Sequence, residues 1–142
     1  MSKQVKLIPL SALILVFLLT SGCSAPRPAG LTDQQVASVA ENTLKAIDAN
    51  DYQKFTRDFS KTMNSTFSQA QFDSLRLLLQ KTSGNYLSLG APGLTDNQGY
   101  AVYRFPAKYA NETVIVTITF LVGGQKIEGL WLDSLALRKT SQ

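Results

Sequence analysis

Covalent chemistry has few places to start in this chain. Cys23 is the only cysteine, and there is no histidine at all. Without histidine there is no Ser-His-Asp or Cys-His machinery, no imidazole general base and no ordinary zinc site. The residue left for acid–base work is Asp133, two positions after Trp131 on a predicted strand. Buried near Tyr103, its carboxylate would have a pKa raised by desolvation and would act as a general base. The competing reading is a solvated carboxylate at a strand end, since neither a histidine nor a second cavity carboxylate accompanies it. Five aromatic residues, Tyr52, Phe55, Tyr103, Phe105 and Trp131, form a candidate pocket between helices and sheet, the kind of concave apolar site that takes small ligands. The same five serve equally well as core filling. Nothing in the sequence calls for a metal or a cofactor.

Cys23 has a distinctive setting. Lys3 and Lys6 precede an apolar run over residues 7–19, and Thr20-Ser21-Gly22 lead directly into the cysteine. A basic start followed by about 7–15 apolar residues is an export signal, and the run falls short of the roughly 20 residues that span a bilayer. The segment ending Leu19-Thr20-Ser21-Gly22-Cys23 resembles the lipobox of bacterial lipoproteins, although the usual leucine position holds Thr20 and the leucine is Leu19. The resemblance implies a signal peptide over residues 1–22, cleavage before Cys23 and a diacylglycerol on its sulfur. Palmitate labelling would then follow Cys23. The alternatives are an uncleaved anchor and a plain signal peptide with an incidental cysteine; all three put the domain outside the cytoplasm. Residues 24–30, with two prolines and a glycine, read as a semi-extended tether. In double-membraned bacteria Ser24 resembles an outer-membrane address, so the expected place is the cell membrane or outer membrane.

Removing Lys3 and Lys6 with the leader leaves 12 Lys and Arg against 10 Asp and Glu, a net charge of +2. That balance, with no basic stripe, points away from nucleic acid. A lipidated Cys23 leaves no thiol for a disulfide, so the remaining chain must rely on one buried core.

The positioning elements follow from period and punctuation. Thr32 and Gln35 have capping-box spacing, and Val36, Val39, Ala40, Thr43, Leu44 and Ile47 recur at helical intervals up to about Asn50. A shorter helix with Tyr52, Phe55 and Phe59 on one face follows, fraying near Met63. Ser68 and Gln71 cap a third helix with Phe72, Leu75, Leu78 and Leu79 inward and Gly84 at its stop. The period then falls to 2. Strands are predicted over residues 86–89, 100–109, 113–122 and about 125–135. Pro106 marks the second as an edge or a bulge, Gly123-Gly124 form a hairpin, and Gly129 marks a bulge in the last. Residues 138–142 read as a loose tail.

The predicted fold is α+β, three N-terminal helices packed on a curved four-stranded antiparallel sheet. The domain over residues 31–137 resembles the nuclear transport factor two-like (cystatin-like) superfamily. Within it, the resemblance is to an uncharacterised bacterial domain found ahead of some α/β-hydrolases. The carrying segments are Asn50-Asp51-Tyr52-Gln53-Lys54-Phe55 with Asp58-Phe59, Asn85-Tyr86-Leu87-Ser88-Leu89-Gly90, and Lys126-Ile127-Glu128-Gly129-Leu130-Trp131-Leu132. The resemblance implies a cone-shaped fold, a homodimer through a Thr-rich sheet face (Thr117 and Thr119 with Ile115 and Leu121), and a domain of unknown function. The functional expectation is a membrane-tethered, non-catalytic module that binds a small apolar ligand or a protein. The alternative is an isomerase- or dehydratase-like or hydrolase-accessory enzyme working through a cavity carboxylate.

Overall fold

A computed structural model describes residues 31–140 of the chain. The expected leader, lipidated Cys23 and tether fall on residues 1–30, outside those described. Four helices come first: α1 (Asp33–Asp48), α2 (Tyr52–Thr56), α3 (Lys61–Thr66) and α4 (Gln69–Thr82). Five strands follow, β1 (Tyr86–Leu89), β2 (Gly93–Asn97), β3 (Tyr100–Tyr109), β4 (Thr113–Leu121) and β5 (Ile127–Asp133), and then a terminal helix α5 (Leu135–Thr140). The class is α+β with one open antiparallel sheet.

Both predicted capping boxes are present. The Gln35 N–H donates to Thr32 Oγ1 at 3.2 Å while the Thr32 N–H donates to Gln35 Oε1 at 2.7 Å. Ser68 and Gln71 repeat the exchange at the start of α4. Each satisfies orphan N–H groups of a first turn, worth about 1 kcal/mol. Asn50 ends α1 with φ 56 and Gly84 ends α4 with φ 80, the left-handed stops their types allow.

The second predicted helix is two. The chain leaves helical geometry after α2, Ser60 caps α3 by accepting from the Met63 N–H, and Phe59 makes a parallel bridge to Ile127. The break lets the Asp58 carbonyl accept from the Ile127 N–H at 2.8 Å and the Ser60 N–H donate to the Ile127 carbonyl at 2.9 Å. A pairing nearly seventy residues away along the chain outweighs local helical continuity.

The sheet has five strands instead of four, in the order β1-β3-β4-β5, with β2 also on β3. The added strand, β2, runs Gly93↔Arg104 through Asn97↔Tyr100 and turns at Gln98-Gly99, both at positive φ, as a two-residue hairpin requires. β3 is accordingly no edge strand. Its outer side is shared, with β1 against its last residues and β2 against its first, and Pro106 stands at the junction. The Pro106 carbonyl accepts from the Gly90 N–H at 2.8 Å, so its missing donor also points at the junction and not into the β3–β4 ladder. The fit is close: a Cβ on Gly90 would stand 2.7 Å from Pro106 Cγ. The bulge expected around Gly129 is there, with Thr119 opposite Gly129 and Phe120 opposite Ile127, leaving Glu128 as the extra residue.

One sheet face is covered by the helices. Ala101, Tyr103, Phe105, Ala107 and Tyr109 of β3 and Val114, Val116, Ile118 and Phe120 of β4 are buried against Val36, Ala40, Leu44, Phe55 and Phe72. Val122, expected as the last residue of this strand, is exposed because β4 ends at Leu121. The other face carries Arg104, Thr117, Thr119 and the exposed Tyr100, Ile115 and Leu121. The segment expected as a loose tail is helical from Arg138 to Thr140, as the end of α5, which carries Leu137 into the core.

Candidate functional site

The five aromatic residues named from sequence do not meet at one site. Phe55 is fully buried among rings of the helical layer, with centroids 4.9 Å from Phe59, 5.3 Å from Phe67 and 4.9 Å from Phe72. Tyr52 lies at the margin of that cluster, 5.6 Å from Phe72, and its hydroxyl donates to the Phe67 carbonyl at 2.7 Å. Tyr103 and Phe105 are fully buried beneath the sheet, Tyr103 edge-on to Phe120. These rings are close enough to fill the space between them, as core aromatics do. Trp131 stands apart, 69% exposed.

Trp131 belongs to a groove that the sequence did not single out. It lies between α4, β5 and α5 and has a volume of about 430 Å³. Phe67, Leu75 and Leu78 form one wall, Leu130 and Leu132 the other, and Leu137 closes it from α5. The volume falls within the range of ligand-sized clefts, about 300–1,000 Å³. Of its lining, Leu75 and Leu78 were legible as inward helix positions; the opening was not, because it depends on where the sheet ends.

Asp133 sits on the rim of the groove with Arg138. Arg138 Nε donates to Asp133 Oδ1 at 2.7 Å and Nη2 donates to Oδ2. These bonds hold the Asp133 carboxyl below its ordinary pKa. A cavity base needs the opposite direction. Nor is Asp133 near Tyr103 on one face: its partner across β4 is the exposed Ile115, whereas Tyr103 points into the core.

Two further polar arrangements are long-range. Glu112 Oε1 accepts from Ser83 Oγ at 2.6 Å and from Ser134 Oγ at 2.9 Å, and Ser134 Oγ accepts from the Leu137 N–H at 3.1 Å. One carboxylate thus ties the end of α4 to the β3–β4 turn and the start of α5. Ser83 is fully buried, so the cluster offers no accessible nucleophile. Tyr86 and Tyr109 stack edge to face at 5.7 Å beneath α1, and neither buried hydroxyl has a hydrogen-bond partner among the described residues. Burial, then the Glu41 carboxylate, pushes Tyr86 up to about 12; burial, then Asp48, raises Tyr109 too. Both phenols stay neutral at physiological pH.

A smaller notch of about 170 Å³ at the α1–α2 corner holds Lys45, Lys54 and Arg57. Each is paired, with Glu41, Asp51 and Asp58 respectively, so the notch has no uncompensated cation from these three. Among the described residues no cluster of acidic side chains could hold a metal ion, and no helix is long and apolar enough to cross a membrane.

No curated protein and no solved structure matches the chain. The family model described as a protein of unknown function, DUF3887, matches residues 40–130, more than half of the chain and all of the sheet up to Leu130, and the chain belongs to that family.

Proposed function

We propose that this chain is an exported, lipid-anchored binding protein of the cell envelope. Cys23 carries the lipid, and the groove between α4, β5 and α5 is the binding site. The observation that supports this most directly is the groove: about 430 Å³ of leucine-lined space beside an exposed tryptophan. Monomeric proteins seldom leave such apolar surface open without a use. Its occupant is apolar, either a small molecule or part of a protein. Trp131 is the only tryptophan and lines the groove, so at fixed protein concentration a change in its emission reports occupancy there. Titrating the soluble domain, residues 25–142, with an apolar naphthalene probe should shift Trp131 emission to the blue; unchanged emission at saturating probe would count against the groove as a site. Native mass spectrometry of the same domain would reveal any co-purified ligand as a mass excess lost on unfolding.

Anchoring rests on residues 1–23, and it has its own test. Palmitate should label the wild type and not Cys23→Ala, and equal labelling would remove the anchor from the reading. The α+β arrangement also supports a nuclear transport factor two-like fold. The exposed Tyr100, Ile115 and Leu121 support a homodimer through the open sheet face, checked by the mass in light scattering across a concentration series.

A further inference from the structure

β5 ends the sheet, so only one of its sides has a strand beside it. The register fixes which backbone groups lie on the other. Along an antiparallel strand, residues alternate in pointing both N–H and C=O at one neighbour and then at the other. Pro106 points away from β4, toward Gly90, so Phe105 and Tyr103 point at β4 and bond Val116 and Ile118. Val116 and Ile118 are thereby turned from β5, and Leu132 and Leu130 opposite them face outward. The start of β5 shows the same outward orientation, where Ile127 bonds Asp58 and Ser60. Beyond that bridge, the N–H and C=O groups of Leu130 and Leu132 have no partner among the described residues.

Directly below this edge is the groove, into which Leu130 and Leu132 also present their side chains. Edge strands are usually guarded by bulges or charges. Here the bulge at Glu128 and the Asp133–Arg138 ion pair stand at the two ends, and Leu130-Trp131-Leu132 between them carries no charge. A hydrocarbon laid over this edge would desolvate two donors and two acceptors without replacing their hydrogen bonds, which is costly. An extended backbone satisfies them at strand spacing. The chain's own residues 58–60 already do this at Ile127. A second copy of β5 would bring its α4 and α5 with it, because those helices wall the groove.

We propose that the Leu130–Leu132 edge takes an extended peptide segment of another protein as an added strand, with one of its apolar side chains seated in the groove between α4 and β5. This rests on the groove being a binding site and specifies its partner.

The test uses the full chain in isotropic lipid bicelles with a synthetic peptide of alternating threonine and valine, acetylated and amidated. A second peptide of the same sequence is N-methylated at alternate residues. Two readings are taken: amide exchange at Leu130 and Leu132 by NMR, and Trp131 emission. The plain peptide should shift the emission and slow both amides about tenfold, the protection of one net hydrogen bond, and the N-methylated peptide should bind at least tenfold more weakly. Equal binding of the two peptides, or an emission shift without amide protection, would overturn strand addition and leave the groove reading intact. No response to either peptide, with a response to the naphthalene probe, would do the same. No response to any of the three would remove both readings. Protection without peptide that grows with protein concentration would assign the edge to a second copy and overturn the proposal.

Discussion

The two sides of α4 meet the rest of the molecule in different ways. Toward the core, Phe72 meets Phe55 and Tyr52, and Phe59 and Phe67 complete a cluster with centroid spacings of 4.9–6.2 Å. Toward β5, Leu75 and Leu78 face Leu130, Leu132 and Leu137 across about 430 Å³. Both sides are apolar. The first is closed because α2 and the α2–α3 connection cover it with rings; the second is open because the sheet stops at β5. An opening here is a property of an edge, not of residue type.

That contrast can be broken at its filled side first. Phe55→Ala should cost about 3–5 kcal/mol in denaturant unfolding, the usual range for a buried Phe cavity, whereas a cost below about 1 kcal/mol would mean that the cluster is loosely packed. Glu112→Ala tests the tie that holds α5 beside the groove. It leaves the Ser83 and Ser134 hydroxyls without their acceptor and should cost about 1–3 kcal/mol, with a smaller loss for Glu112→Gln, which keeps a carbonyl oxygen. Ser68→Ala removes the cap of the helix shared by both regions and should cost about 1 kcal/mol, read from the same unfolding curves. Trp131→Ala, on the open side, should change stability by no more than about 0.5 kcal/mol while weakening binding of the apolar probe, measured by the probe's own fluorescence.

The smallest effect belongs to the rim. Asp133 has its folded pKa depressed by Arg138, so the stability it contributes is present above the unfolded value near 3.8 and is lost as pH falls through the folded value. Arg138→Ala should return the Asp133 titration, followed by NMR, toward the ordinary carboxylate range. An unchanged titration would mean that the pair is not formed in solution. Because Arg138 is largely exposed and solvent screens the pair, the unfolding midpoint should hardly move.

Sequence legibility differed in the same way between regions. Helix starts were readable because a cap is a contract between residues three apart: Thr32 with Gln35, and Ser68 with Gln71. The faces of β3 and β4 were readable because alternation at period 2 assigns every residue a side. The division between α2 and α3 was not, since it follows from the bridge of Phe59 to Ile127. β2 was missed because only Leu94 in it packs on the core, leaving almost no alternation to read. Pro106 suggested an edge because a proline interrupts a ladder, and the actual solution, two strands meeting at that residue, needs β1 and β2 to be placed first.

By itself, then, the sequence determined the local matters: where α1 and α4 begin and end, which strand faces are apolar, and the absence of histidine chemistry. Tertiary structure alone decided which apolar residues close on one another and which are left around a gap. Phe55 and Trp131 are both large and apolar, and nothing in their neighbours along the chain separates them. What separates them is that Phe55 lies where a second layer covers it, whereas Trp131, opposite Thr117, lies on the sheet face that no layer covers.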